Sequence, residues 1–386
     1  MLEKALTGSR RYWILVGILL AIFGMGVYFY LHQLEFGLGL TGMSRDVSWG
    51  LYISQFTFLV GIAASAVMVV LPYYLHDYKA FGRITVLGEF LAIAAVIMCV
   101  TFIFVNLGQP ARVLNVMFHP SLTSVLFWDM VVISVYLVLN VITGWTVLSS
   151  VKEGVPPPAW VKPFIYLSIP WAVSIHTVTA FIYAGMPGRS FWLTAIMAPR
   201  FLAAAFASGP ALLILLCLVL RRFSGFDARK DAIQAMAKIV TYAFIATIFF
   251  VVVELWTVFY SQVPDDMEHY RFLFMGLKGY NTIAHGMTVS VISAAVALVL
   301  LIDPRTRKKE TFLAAACILV FLSLWIEKGL GLMVTGFVPS PLGHITRYTP
   351  TGPEMAIAIG IWAMGFLIIT VLYKIFISVR EAAELD

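Results

Sequence analysis

Charged side chains are scarce. Asp, Glu, Lys and Arg make up 12% of the 386 residues, against roughly 25% in soluble domains. With 61% of residues hydrophobic, a water-facing exterior cannot be built, which excludes a soluble enzyme or carrier. Cysteine is scarcer still. Cys99, Cys217 and Cys317 lie far apart inside apolar runs, with no CxxC pair and no metal-ligand spacing. The chain therefore offers no framework for an iron–sulfur cluster or zinc. Histidine pairs are missing too. Only His176 and His285 fall within apolar stretches, with His32 and His344 near stretch ends, so no stretch carries the paired axial ligands of a b-type haem. The net charge of +6 does not point to nucleic acid, because the Lys and Arg sit in short loops between apolar runs, as topology signals do.

What is present is length of apolar run. A hydrocarbon core about 30 Å thick takes about 20 residues of helix. Windows that meet this are Tyr12–Leu31, Ser48–Leu71, Ile84–Leu107, Ser124–Leu148 and Val161–Ala184. A second five are Arg200–Leu220, Ile239–Tyr260, Thr282–Ile302, Thr311–Val334 and Glu354–Ile377. Backbone groups cannot stay unpaired in lipid, so each must be a helix. The expectation is an all-α integral membrane protein of ten transmembrane helices, with no room for a soluble domain. Ser9-Arg10-Arg11 resembles a twin-arginine export signal, but the long apolar run and the lack of a small-residue cleavage site predict an uncleaved first span.

Of the 26 Lys and Arg, about eighteen fall on the side that carries both termini and about seven on the other, Arg200 counted among the latter; Lys328 lies within a span. Positive-inside logic puts both termini in the cytoplasm and the chain in the cytoplasmic membrane, which an even number of spans satisfies. The outer connections Val263–Asn281 and Thr335–Pro353 are long and rich in Gly, Pro and aromatics, as loops that bind or cover something are.

A charge at the bilayer centre costs about 2.5–3.5 kcal/mol even on the mild insertion scale, so each one asks for a reason. The candidates are Glu89, Asp129, His176, Glu254, His285, Glu327 and Lys328. All but Glu89 fall in the outer half. Helical spacing puts His176, Thr179 and Tyr183 on one face of the fifth span, and Asp129 with Tyr136 on one face of the fourth. Thr247, Glu254, Thr257 and Ser261 share a face of the seventh, and Asn281, His285 and Thr288 one of the eighth. Such stripes are expected to face a bundle interior or a wet cavity. Blander roles exist for each: an interhelical ion pair for Glu327 and Lys328, a bonded core histidine, an Asp129 solvated beside Trp128, a Glu89 that snorkels inward. Seven titratable groups on six helices fit proton-coupled chemistry better. Quinone conversion moves two electrons and two protons, so donors and acceptors must reach the ring oxygens at hydrogen-bond distance.

Two alternatives stay open on the residues alone. A bis-histidine haem would make the chain a b-type quinol cytochrome. Pro170, Gly209-Pro210, Gly329 and Gly331 are able to break helices as a proton-coupled transporter does, although Gly209-Pro210 reads better as a kink or close-packing point.

The same residues sit in recognisable strings. VNLGQPARVLNVMFHPSLTSVLFWD (Val105–Asp129) and SIHTVTAFIYAGMPGRSFWLTAIMAPRFLAAAFASGPAL (Ser174–Leu212) resemble signatures of the NrfD/PsrC family of membrane anchors. VSWGLYISQFTFLVGIAASA (Val47–Ala66) resembles that family's first bundle helix. WIEKGLGLMVTGFVPSPLGHITRYTPTGPE (Trp325–Glu354) resembles its ten-span branch, that of Dsr-type complexes linked to sulfite and sulfate reduction. The resemblance implies two four-helix bundles, residues 48–184 and 200–334, flanked by extra helices at 12–31 and 354–377. It implies an exchangeable menaquinone near the outer face of the first bundle, with no haem or cluster held by this chain. The implied partner is an extracytoplasmic four-cluster ferredoxin-like subunit, with cytochrome c, cytochrome b-like and cytoplasmic iron–sulfur subunits further off. On this chain the implied quinone partners are His176 and Asp129, with Tyr52, Gln55, Asn106, Thr179 and Tyr183 orienting the head group. Glu89, Glu254, His285, Glu327 and Lys328 are the candidate proton path. Arg112 stands at the motif arginine, suited to pairing with a loop carboxylate or to contact with the ferredoxin-like partner. Shorter members are expected to use a histidine on the first bundle helix, where this chain has Trp49, Tyr52 and Gln55. An anchor without a working pocket is the non-enzymatic alternative.

Overall fold

The computed structural model describes residues 1–383. Ten helices are long and apolar enough to cross a membrane: α1 (Arg10–Leu40), α2 (Leu51–Leu75), α3 (Thr85–Asn106), α4 (Val125–Glu153), α5 (Ala159–Ala184), α6 (Met197–Ser224), α7 (Lys230–Tyr260), α8 (Thr282–Ile302), α9 (Glu310–Phe337) and α10 (Gly352–Ala382). The described residues contain no strand. The chain is a multi-pass integral membrane protein, and below "inner" denotes its more basic face. The helices run past the apolar windows at several ends. α7 starts at Lys230, nine residues before the expected Ile239, because a helix continues beyond the hydrocarbon edge as long as its backbone bonds do. The outer loop after α7 carries a further helix, Pro264–Met275.

Neighbours in sequence pack as neighbours in space. α2 lies on α3, α3 on α4 and α4 on α5, while α2 also touches α5. α6 lies on α7 and α9, and α8 lies on α9 and α7. These two groups of four meet where α2 and α5 pack on α6. The α2–α6 approach needs glycine: a Cβ on Gly209 would stand 2.8 Å from the Ser65 backbone nitrogen. Gly209-Pro210 is therefore a close-packing point inside a continuous helix. α10 covers α3 and pairs with α1, which otherwise has little protein around it.

Two spans are interrupted. α2 consists of Leu51–Ala63 and Val67–Leu75, with a turn between them. α9 widens to a π turn over Ile326–Gly331, where Gly329 leaves helical dihedrals at φ −85°, ψ −110°. Both breaks lie on the seam between the two groups.

One expectation is corrected here. Arg200 is not an outer-loop cation. α6 begins at Met197, so Arg200 falls within its first turn and is buried at 7% exposure.

Candidate functional site

The groups that α4 and α5 turn inward meet in the outer half of the first four helices. Thr179 donates its hydroxyl to Asp129 Oδ1 at 2.7 Å, and both side chains are buried. One turn inward on α5, His176 is fully buried, and neither ring nitrogen has a hydrogen-bond partner. Buried polar atoms are nearly always bonded, so an imidazole with both nitrogens free is held for something. One turn outward of Thr179, Tyr183 bonds Thr57 of α2 at 2.5 Å. The Thr57 hydroxyl already donates to the Ile53 carbonyl at 2.7 Å, so the tyrosine is the donor. The Tyr183 ring lies within an aromatic cluster, 5.4 Å from Trp192, 5.9 Å from Trp49 and 5.8 Å from Phe201. Five side chains able to hydrogen-bond, Thr57, Asp129, His176, Thr179 and Tyr183, are thus gathered beneath the aromatic cluster.

Two of the expected orienting residues turn elsewhere, and a third has no bonded partner. Tyr52 donates to Gln33 Oε1 at 2.7 Å, facing α1. Gln55 Oε1 accepts from Trp325 at 2.8 Å and Trp362 at 3.0 Å, facing α9 and α10. Asn106 ends α3, with its Oδ1 unbonded. Thr57 is the α2 side chain that reaches the layer of Asp129 and His176, and its only signal in sequence is its offset of two residues from Gln55, which puts it on a different helix face.

The remaining charged candidates divide. Glu89 does not snorkel. It is buried one turn into α3, with Oε2 unbonded and 3.2 Å from where a Cβ on Gly144 would stand. Tyr136, between the levels of Glu89 and His176 on α4, donates to the Ala63 carbonyl freed by the α2 break at 3.0 Å. Glu254 of α7 and Glu327 of α9 both bind the Arg200 guanidinium, and Tyr270 lies 3.4 Å from Glu254. Lys328 does not pair with its neighbour. Its ammonium has no hydrogen-bond partner and lies 4.2 Å over the Phe201 ring.

His285 is brought to none of these. The Asn281, His285 and Thr288 face of α8 is exposed, against the expectation of an interior stripe, because α8 turns Ile283, Ala284, Met287 and Ser290 inward instead. On α7, Thr247 and Glu254 are buried while Thr257 and Ser261 are exposed. Arg112 is exposed on the outer side, in a short helix at Pro110–Arg112.

Above the outer ends, Arg189, Asp265, Glu268 and His269 line a cavity of about 300 Å³. His269 bonds the carbonyls of Thr335 at 2.8 Å and Val338 at 3.1 Å through Nδ1, which must carry the proton. Burial holds its imidazole below the ordinary value, partly opposed by those two bonds. Among the described residues no group of three or more His, Cys, Asp or Glu is arranged to hold a metal ion.

Comparison with known proteins agrees along most of the chain. An archaeal protein of Halobacterium salinarum, provisionally named as a membrane subunit of dimethyl sulfoxide reductase, is 28% identical over 93% of this chain and 89% of its own length. The Hdr-like menaquinol oxidoreductase integral membrane subunit of Archaeoglobus fulgidus is 25% identical over 97% of this chain and 95% of its own. A selenate reductase subunit of Mesobacillus selenatarsenatis is 22% identical over 48% of this chain and 51% of its own. The family model described as polysulphide reductase, NrfD, matches residues 39–338, which takes in all eight helices from α2 to α9 and the layer of Asp129, His176 and Tyr183. The chain belongs to the polysulphide reductase NrfD family.

Proposed function

We propose that the chain is the quinone-reactive membrane subunit of a respiratory oxidoreductase complex, with the ring bound beside His176 in the outer half of the first four helices. The observation that carries this reading is the His176 imidazole, fully buried with both nitrogens unbonded. Its neighbours suit the same ligand. Asp129 is held by one oxygen, which leaves the other to face a second oxygen atom, and the aromatic cluster around Tyr183 offers an apolar lid. When bound, a quinone supplies the two-electron, two-proton couple. The chain's own part is to orient the ring, exclude water from it, and hold or accept protons at His176 and Asp129.

Menaquinone is the proposed quinone, on the strength of the relative named as part of a menaquinol oxidoreductase. The proposed electron partner is an extracytoplasmic four-cluster ferredoxin-like subunit, docked over the outer cavity lined by Arg189 and in contact with Arg112, within a Dsr-type complex serving sulfite or sulfate reduction. Both termini are proposed to be cytoplasmic. Of the candidate proton-path groups, Glu89 is the one placed beneath the pocket, with Tyr136 between. Glu254 and Glu327 act as the anchors of Arg200.

The test is His176→Phe in the assembled complex. Quinol-linked electron transfer is expected to be lost while the subunits still purify together, free of haem stoichiometric to this chain. Unchanged turnover in that variant would remove His176 from the site and the reading with it.

A further inference from the structure

Glu327 and Lys328 are adjacent in sequence yet serve different halves of the molecule. The π turn of α9 carries both, and such turns rotate successive side chains off the regular helical spacing. Glu327 enters the second group and binds Arg200. Lys328 crosses the seam. Its Nζ lies 3.4 Å from the position of a Cβ on Gly61 of α2, so the ammonium reaches the surface of that helix. The residue is 3% exposed and its ammonium has no hydrogen-bond partner. A buried ammonium without a partner is strongly destabilising, so a fold that keeps one invites a functional account.

The groups around it show where its charge acts. Arg200 of α6 and Glu327 lie on its own side, while Cys99 of α3 and His176 of α5 lie within its electrostatic reach on the other. Phe201 stands between Lys328 and Tyr183, its ring 4.2 Å from the ammonium and 5.8 Å from the phenol ring. Arg200 with two ionised carboxylates carries one net negative charge, which Lys328 balances when it is protonated. The balance is lopsided in space: the negative end faces the second group and the positive end faces the first.

We propose that Lys328 is an electrostatic positioning residue for the pocket of the first group, supplied from the second, and that it favours the anionic form of a hydroxyl-bearing, quinol-class ring bound beside His176. The inference rests on the pocket assignment above. A fixed charge in a site closed to water acts on a developing anion without reorganisation, which is where such charges have most effect.

The experiment uses the full chain in detergent and two probes read by quenching of tryptophan fluorescence, since Trp49 and Trp192 border the pocket. One probe is menadione, neutral at all pH values used. The other is a hydroxyquinoline N-oxide, whose hydroxyl ionises. Lys328→Met is expected to weaken the ionised probe about tenfold and the neutral one by less than about twofold. Lys328→Arg, which keeps the charge, is expected to restore the ionised probe. Lys328→Gln, which removes the charge but keeps a polar side chain, is expected to give the same difference between the probes and serves alone if Lys328→Met does not fold. Equal weakening of both probes, or of neither, overturns the inference. Loss of both probes in His176→Phe, with Lys328→Met unchanged, overturns it while leaving the pocket in place. Failure of both probes to bind the unaltered chain overturns the pocket as well.

Discussion

Thr179 and Asp129 tie α5 to α4 one turn outside His176, the threonine hydroxyl donating to Oδ1 at 2.7 Å. The bond orients the carboxyl and, being donated, is stronger to the ionised form than to the neutral one. Thr179→Val is expected to lower quinol-linked turnover by about tenfold, roughly one lost bond to a charged group, with Thr179→Ser near normal. Asp129→Asn is expected to lose more, because it removes the proton acceptor. Steady-state turnover of the assembled complex with each variant decides this, and equal activity in Thr179→Val would mean that Asp129 needs no such support.

Arg200 holds two carboxylates from helices that follow it by 54 and 127 residues. Breaking a buried ion cluster from one side strands the other charges, at about 3–5 kcal/mol. Arg200→Met is expected to lower the midpoint of thermal unfolding in detergent sharply. The triple variant Arg200→Met, Glu254→Gln, Glu327→Gln, with no charge left within the cluster, is expected to recover part of the loss, Lys328 having lost its counter-charge. A triple variant no better than the single one would point to a role for the charges beyond mutual support.

Glu354, at the start of α10, reaches back to the beginning of the membrane domain. It accepts from the backbone of Gly42 at 2.9 Å and Leu51 at 3.2 Å, and from the Tyr348 hydroxyl at 2.6 Å. The first turn of α2 is thereby capped by a residue about 300 positions away. Glu354→Ala is expected to cost about 1–3 kcal/mol and to raise amide exchange over residues 42–55 before any other segment. Uniform exchange along the chain would argue that the cap is local decoration.

His269 gives the outer loops a pH dependence. Its folded value lies below the ordinary imidazole value of 6.5 because the ring is buried, so the stability contributed by its neutral form is fully present above about pH 6.5. As pH falls below that, the unfolded state gains a proton that the folded loop resists, and stability declines until the folded value is passed. Exchange in the helix Pro264–Met275 is expected to rise over this interval, and His269→Gln is expected to flatten the response. A profile unchanged by that substitution would assign the pH dependence to another group.

Much of this architecture is legible in the residues, for a physical reason. Lipid imposes one length and one backbone solution, so ten apolar windows give ten helices. The orientation of α2 is not legible. All thirteen residues from Leu51 to Ala63 are buried, so the helix has no polar face to mark, and Tyr52 and Gln55 are expected beside Asp129 and His176 whereas it is Thr57 that bonds Tyr183. Arg200 escapes notice because a cation at the edge of an apolar window reads as loop, and its carboxylate partners are remote in sequence. His176, Thr179 and Tyr183 do share one face, since three positions spaced by three and four residues meet on any helix. The exposed side of α8 shows the limit of that argument: spacing defines a face, and only packing decides which way it turns.

α1 and α10 cross so closely that a Cβ on Gly26 would fall 2.7 Å from the Cα of Gly360. Of the two, α1 is made long before α10. For the translation between them α1 lacks this partner and must persist in the bilayer largely on its own apolarity, which a mean hydropathy of 2.4 provides. The clasp therefore closes only once α10 has been made, and a polypeptide truncated before α10 would carry an open flank along α3 as well as an unclasped α1. Until then the open side of α1 stays visible to any quality-control machinery that senses an unpaired span.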